Sequence, residues 1–188
     1  MIANFTQTLA VETRTALQAS RVILAFWDAS VLTHGEQVAR ALLLLAPEGQ
    51  EEEWYWAGLL HDIGKIILSP QILHKRSGLS RKERKIMQQH PLKGATILAE
   101  IGAPQTIVHG AKFHHERWDG KGYPFDIGGD QIPLVARVLA VADAYTAMTH
   151  HRPYRYAFAP EQARAEIERN AGTQFDPEIV ARFLERMR

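Results

Sequence analysis

The residues of this chain with the clearest capacity for chemistry are histidines and aspartates, and they recur in pairs. His61-Asp62 closes a helical run and is followed by Ile63-Gly64-Lys65, while His114-His115 stands just before a stretch crowded with glycine and proline. Asp143 lies inside Leu139-Ala140-Val141-Ala142-Asp143-Ala144, where a carboxylate is costly to bury unless it is paired or coordinates a metal. His34 and His90 read as a helix start and a helix end, places from which side chains can converge on a pocket. Alone, each has an ordinary reading, such as a helix-terminal acid beside an exposed histidine. Together, five histidines and two aspartates on helix ends and core helices are hard to explain as surface. Neutral imidazole and carboxylate form the ligand set that suits iron, manganese and zinc in hydrolytic sites. Adjacent histidines can serve one metal or two only where the backbone leaves regular helix.

The elements that must position these groups are helical nearly everywhere. Leu9, Leu17, Val22 and Phe26 lie on a period near 3.6, and Val38, Ala41, Leu42 and Leu45 repeat it until Pro47 and Gly49 stop that helix. A further helical run covers residues 54–60. Ser80-Arg81-Lys82-Glu83 reads as a capping box. Pro91 marks a break and a restart through Ile97 and Ile101, with Gly102 as the stop, and Pro104 opens another helix. Pro133 suits the first turn of a helix to about Thr149, and Asp176-Pro177-Glu178 is a strong helix start. No segment alternates in the manner of a strand, so the expectation is one all-α domain. Residues 119–133 hold Gly120, Gly122, Pro124, Gly128, Gly129 and Pro133, too many breakers for a helix, and loops of that length are usually functional.

Composition narrows the classes. With 188 residues, 22 basic and 21 acidic side chains, the net charge of +1 offers no electrostatic footprint for long nucleic acids. The absence of cysteine excludes disulfide scaffolds, thiolate metal sites and cysteine nucleophiles. The longest apolar run, residues 41–47, is far short of a membrane span, and residues 1–7 show no signal-peptide pattern, so the expected location is the cytoplasm.

The chain resembles the HD-GYP branch of the HD-domain metal-dependent phosphohydrolases. The resemblance rests on His61-Asp62-Ile63-Gly64-Lys65, His90, and the run His114-His115-Glu116-Arg117-Trp118-Asp119-Gly120-Lys121-Gly122-Tyr123-Pro124. It continues through Val141-Ala142-Asp143-Ala144, Arg152-Pro153-Tyr154-Arg155 and Gly172-Thr173-Gln174-Phe175-Asp176-Pro177. It implies a single compact helical HD-GYP domain over residues 28–188, with its Gly/Pro-rich loop over the metal site and residues 1–27 as an N-terminal helical extension. It implies two divalent metal ions, iron or manganese before zinc, nickel or magnesium. His61 and Asp62 are the namesake pair, with Asp62 bridging. His34 and Asp143 complete one shell, and His90, His114 and His115 complete the other. Some members carry a glutamate one turn before the first ligand that helps hold a third metal; Ser30 stands there, which favours a binuclear centre.

The activity implied is hydrolysis of cyclic di-GMP to pGpG or GMP, with Asp62 and Lys65 catalytic and Lys65, Arg152, Arg155 and Tyr123 contacting substrate. Two alternatives stay open: a non-catalytic cyclic di-GMP receptor or interaction module, and an HD hydrolase of another cyclic dinucleotide. The intact His-Asp and His-His pairs favour catalysis. The amphipathic first helix could pack on a second copy as a homodimer, and the Gly-Tyr-Pro loop could meet diguanylate cyclase domains. His74, His109, His150 and His151 match no ligand position and read as structural or solvated, and Trp54 and Trp56 as core or interface.

Overall fold

The computed structural model describes residues 8–150 and 157–187, and among them every named element is helical. In chain order these are α1 (Val11–Trp27), α2 (Ala29–Leu42), α3 (Glu51–Leu60), α4 (Pro70–Leu73), α5 (Arg81–Met87), α6 (His90–Glu100), α7 (Gln105–Phe113), α8 (Leu134–Thr149), α9 (Pro160–Arg169) and α10 (Pro177–Arg186). Short 3-10 turns cover Leu43–Leu45, Ile63–Ile67 and Gly129–Gln131. The start signals act as their chemistry requires. Ser80 Oγ accepts from the Glu83 amide while the Glu83 carboxylate accepts from the Ser80 amide, closing the capping box. Asp176 accepts from the amides of Glu178 and Ile179 to open α10.

Two placements differ from the sequence reading. His34 is not at a helix start: Asp28 caps α2 by accepting from the Ser30 and Val31 amides, which puts His34 in the second turn. His90 does not end a helix but opens α6, because Pro91 has no amide to offer and fits only a first turn.

The centre of the molecule is α3, which packs on α2 and α7 and touches α8. Its Trp54 and Ala57 belong to one core cluster with Val38, Leu42, Leu139, Val141 and Phe183. Its Trp56, Leu59 and Leu60 belong to the other with Leu98, Ile107 and Ala111. Leu17 and Leu24 of α1 are fully buried in that second cluster, with the Arg14 guanidinium paired to Glu52 of α3 at 2.7 Å. A helix enclosed on all sides holds its C-terminus rigidly, and that C-terminus is where His61 and Asp62 stand.

Two glycines set the approach of the ligand-bearing elements. A Cβ on Gly58 would lie 2.6 Å from Ala39 Cα, so α2 and α3 run backbone to backbone and His34 comes beside His61. A Cβ on Gly64 would lie 2.0 Å from the His90 carbonyl oxygen and 2.5 Å from Gly94 N, so the turn after Asp62 presses directly on α6. Gly64→Ala is therefore expected to lower Tm by about 2–12 °C, since overpacking of this kind costs roughly 1–3 kcal/mol, and to weaken metal binding as α6 is displaced. A melting curve within a degree of wild type would contradict this contact.

Candidate metal centre

Five imidazoles and two carboxylates from five parts of the chain converge at the ends of α3 and α7, the start of α6 and the middles of α2 and α8. His34, His61 and Asp143 bring ligand atoms within 4.8 Å of one another, and so do His90, His114 and His115. A third set, His61, Asp62 and His114, joins the two. Asp62 sits between them: its Oδ1 lies 3.2 Å from His90 Nε2 and 3.8 Å from His114 Nε2, and its Oδ2 lies 3.3 Å from His61 Nε2. On the α8 side, His34 Nε2 and Asp143 Oδ1 are 2.8 Å apart, across 109 residues of sequence.

Three of the histidines share one device. His61 Nδ1 is 2.7 Å from Gly58 O, His90 Nδ1 is 2.8 Å from Met87 O, and His114 Nδ1 is 2.8 Å from Ala111 O. Each carbonyl belongs to the last turn of a helix, where no amide is left to donate to it. A carbonyl can only accept, so each Nδ1 carries the proton and each Nε2 turns its lone pair inward. That tautomer is the one a metal ligand needs, and the helix C-terminal dipoles behind it favour positive charge in the centre.

The electrostatics agree. Burial and the neighbouring rings of His115, His61 and His90 hold His114 well below the usual histidine range, and burial with His90 pushes His115 down to about 4. Both are therefore neutral, with lone pairs free, at physiological pH. Burial alone would raise both carboxyls. Lys65 and His61 nevertheless hold Asp62 well below the usual range, and His34 and His61 do the same for Asp143. At His61, burial disfavours the charged ring, but the Asp62 carboxylate overrides it and shifts the group upward. His61 Nε2 and Asp62 Oδ1 are both buried without a hydrogen-bond partner, at the point where the ligand sets meet. Two orphaned acceptors at one point, lined by further lone pairs, fit divalent cations and little else.

Lys65 pairs its ammonium with Asp62 Oδ2. Both line a cleft of about 510 Å³ walled by Asp28, Ser30 and His34 of the α2 entry, by His74 after α4, and by Thr146 and His150 at the end of α8. Ser30 belongs to neither triad; its hydroxyl turns back to Asp28 Oδ1 at 2.6 Å. Tyr123 is not among the residues lining this cleft; it stacks on His115 with ring centroids 4.7 Å apart at 24°. Its loop is clasped by buried Glu116, whose Oε1 accepts from the Phe125 amide at 2.7 Å. Arg152 and Arg155 lie outside the described residues, as does His151. Trp54 and Trp56 are core residues.

Asp28 escaped the sequence reading, and its signal was its place as an acid just before a new hydrophobic period. His74 was read as structural or solvated, yet both residues line the cleft.

Residues 14–179 match the model of the HD domain family. A cyclic di-GMP phosphodiesterase of Thermotoga maritima is 37% identical over 175 residues, covering 89% of this chain and 48% of that protein. The 3'3'-cGAMP-specific phosphodiesterase 2 of Vibrio cholerae is 39% identical over 131 residues, covering 69% of this chain and 25% of that protein. The phosphodiesterase PgpH HD domain of L. monocytogenes, solved in complex with cyclic-di-AMP, superposes with a TM-score of 0.67 at 17% identity, covering 90% of this chain and 93% of that one. This chain spans less than half the length of both curated relatives. No helix among the described residues is long and apolar enough to cross a membrane.

Proposed function

From the premise that the chain belongs to the HD domain family, we propose that it is a metal-dependent phosphodiesterase of the HD-GYP type that hydrolyses a cyclic dinucleotide, cyclic di-GMP first among them. The observation that carries this reading is the pair of orphaned atoms, His61 Nε2 and Asp62 Oδ1, buried among inward-facing imidazoles, with Asp62 reaching the lining of an open cleft. His34, His61, Asp62 and Asp143 would hold one divalent ion, and Asp62, His90, His114 and His115 a second. When bound, such a pair supplies an activated water and neutralises charge on the phosphate oxygens.

The rest is done by the chain itself. The Nδ1–H bonds to helix-end carbonyls keep three rings from rotating, so the ligand geometry exists before substrate arrives. Lys65 holds its positive charge at the cleft floor, where a phosphodiester gains negative charge as its bond breaks. The Tyr123 ring stacks on His115 and holds that ligand's orientation. Arg152 and Arg155 follow His150, which lines the cleft, and a guanidinium fork suits a phosphate or a guanine edge. No cysteine is present, and a water nucleophile needs none.

The relative at 39% identity with a 3'3'-cGAMP name favours a second reading, in which the preferred substrate is a mixed cyclic dinucleotide. Incubation of the Mn(II)- or Fe(II)-loaded protein with cyclic di-GMP, 3'3'-cGAMP and cyclic-di-AMP, with chromatography of the products, decides between them. Linear pGpG or GMP is expected to form fastest. No turnover of any of the three, despite a loaded centre, would leave a receptor. Because the Ser30 hydroxyl turns back to Asp28 Oδ1 and enters none of the ligand sets, elemental analysis of anaerobically purified protein should find two ions per chain; three tightly bound equivalents would refute this.

A further inference from the structure

We propose, resting on the phosphodiesterase reading above, that His74 is the proton donor to the leaving 3′ oxygen and that Asp28 is the residue that positions it. His74 follows α4 at the rim of the cleft whose floor is Asp62 and Lys65. Its side chain is 60% exposed, and behind it lies Asp28, whose side chain is only 9% exposed. The two Asp28 oxygens are used differently. Oδ1 accepts from the amides of Ser30 and Val31 and from the Ser30 hydroxyl. Oδ2 is sealed from solvent and takes no hydrogen bond, with His74 Nε2 standing 3.3 Å away. A buried carboxylate oxygen with no partner is expensive, and here it faces an imidazole on an open cleft.

The chemistry of the cleft leaves this role open. The imidazoles of the metal centre either commit Nδ1–H to a carbonyl or serve the ligand sets with their remaining nitrogens. Lys65 is engaged with Asp62, and His150 turns its Nδ1 to the Thr146 carbonyl at 3.0 Å. Outside the ligand sets, His74 stands on the cleft with its Nε2 3.3 Å from the Asp28 carboxylate and most of its ring exposed. Burial would raise the Asp28 carboxyl, but the Ser30 hydroxyl, the capping amides and His74 together keep it below the usual range, hence ionised.

In the step itself, a water oxygen adds to phosphorus and the P–O3′ bond breaks with its electron pair on the 3′ oxygen. That oxygen takes the proton from His74 Nδ1. The proton lost by the attacking water passes to solvent, and the ring regains one from solvent, so one water is consumed.

A poor leaving group needs this proton and a good one does not, which supplies the test. Wild type and His74→Ala, both Mn(II)-loaded, are assayed on cyclic di-GMP and on bis(p-nitrophenyl) phosphate, whose nitrophenolate leaves without protonation. Loss of a general acid should cut kcat on cyclic di-GMP by about 10²–10⁴-fold and on the nitrophenyl ester by at most about threefold. Metal content and Tm should stay at wild-type values, because the ring is outside both triads and mostly exposed. Asp28→Asn keeps the helix cap and should show the same substrate bias with a smaller loss. Equal losses on both substrates would overturn the proposal in favour of simple phosphate binding, and undiminished turnover of cyclic di-GMP would overturn it outright. A loaded wild-type protein that hydrolyses no cyclic dinucleotide would overturn the phosphodiesterase reading and this proposal with it.

Discussion

Asp62→Ala is expected to lose metal and turnover together, with kcat/KM falling by more than about 10³-fold, beyond the 10–100-fold typical of residues that only support a ligand. Asp62 is the one carboxylate within reach of both triads, since its two oxygens separately face His90 and His114 on one side and His61 on the other. Removing it leaves five imidazoles with only the Asp143 carboxylate to offset the charge of the bound cations. It also leaves the Lys65 ammonium unpaired at the mouth of the same centre, where it repels them. The variant should still fold, because the cores around α3 and α8 do not depend on the carboxylate. Metal content, a melting curve and kcat/KM measured on one preparation check this. Near-normal metal with near-normal activity would show that the bridging assignment is wrong. Metal retained with activity lost would instead make Asp62 an acid–base group.

Much of this centre was legible because its chemistry is local. His61-Asp62 and His114-His115 are pairs by sequence, and Asp143 stands out as a charge in an apolar run, so each drew attention before any geometry existed. The loop over residues 119–133 was legible for the same kind of reason, since six glycines and prolines cannot continue a helix. Helix phase was less so. Asp28 and Pro91 carried the signals that place His34 inside α2 and His90 at the start of α6, but such a signal gives a boundary only when the neighbouring period is read with it.

What the sequence could not carry is contact across the chain. Nothing local says that Gly64 must admit the His90 carbonyl, or that His34 and Asp143 will meet. These follow from the packing of α2, α6 and α8 around α3. The pairing of Asp28 with His74 is of this kind, joining a helix cap to an exposed ring 46 positions later through a fold in the chain. The division of labour is physical. Ligand type is a property of side chains and shows in the sequence, whereas ligand tautomer depends on which carbonyl lies behind each ring.

Lys65→Ala is expected to separate charge stabilisation from metal binding. The ammonium is held by Asp62 one helical turn away and lines the cleft floor, so it can reach a phosphate there while contributing no lone pair to the centre. Taking away a cation beside two others cannot weaken their binding by Coulomb's law, so metal content should stay at the wild-type value or tighten. The loss should fall on the transition state, where charge on the phosphate oxygens is greatest. Removing one preorganised donor of this type costs about 10²–10³-fold in kcat. Lys65→Arg should recover part of that loss, because the charge returns but a planar guanidinium does not reproduce the compact point charge of an ammonium. If Lys65 served only to keep Asp62 ionised, Lys65→Ala would lose metal and rate in proportion, and added Mn(II) would restore both. Titrating kcat against Mn(II) for the two variants distinguishes these outcomes, since a deficit that survives saturating metal belongs to the ammonium itself.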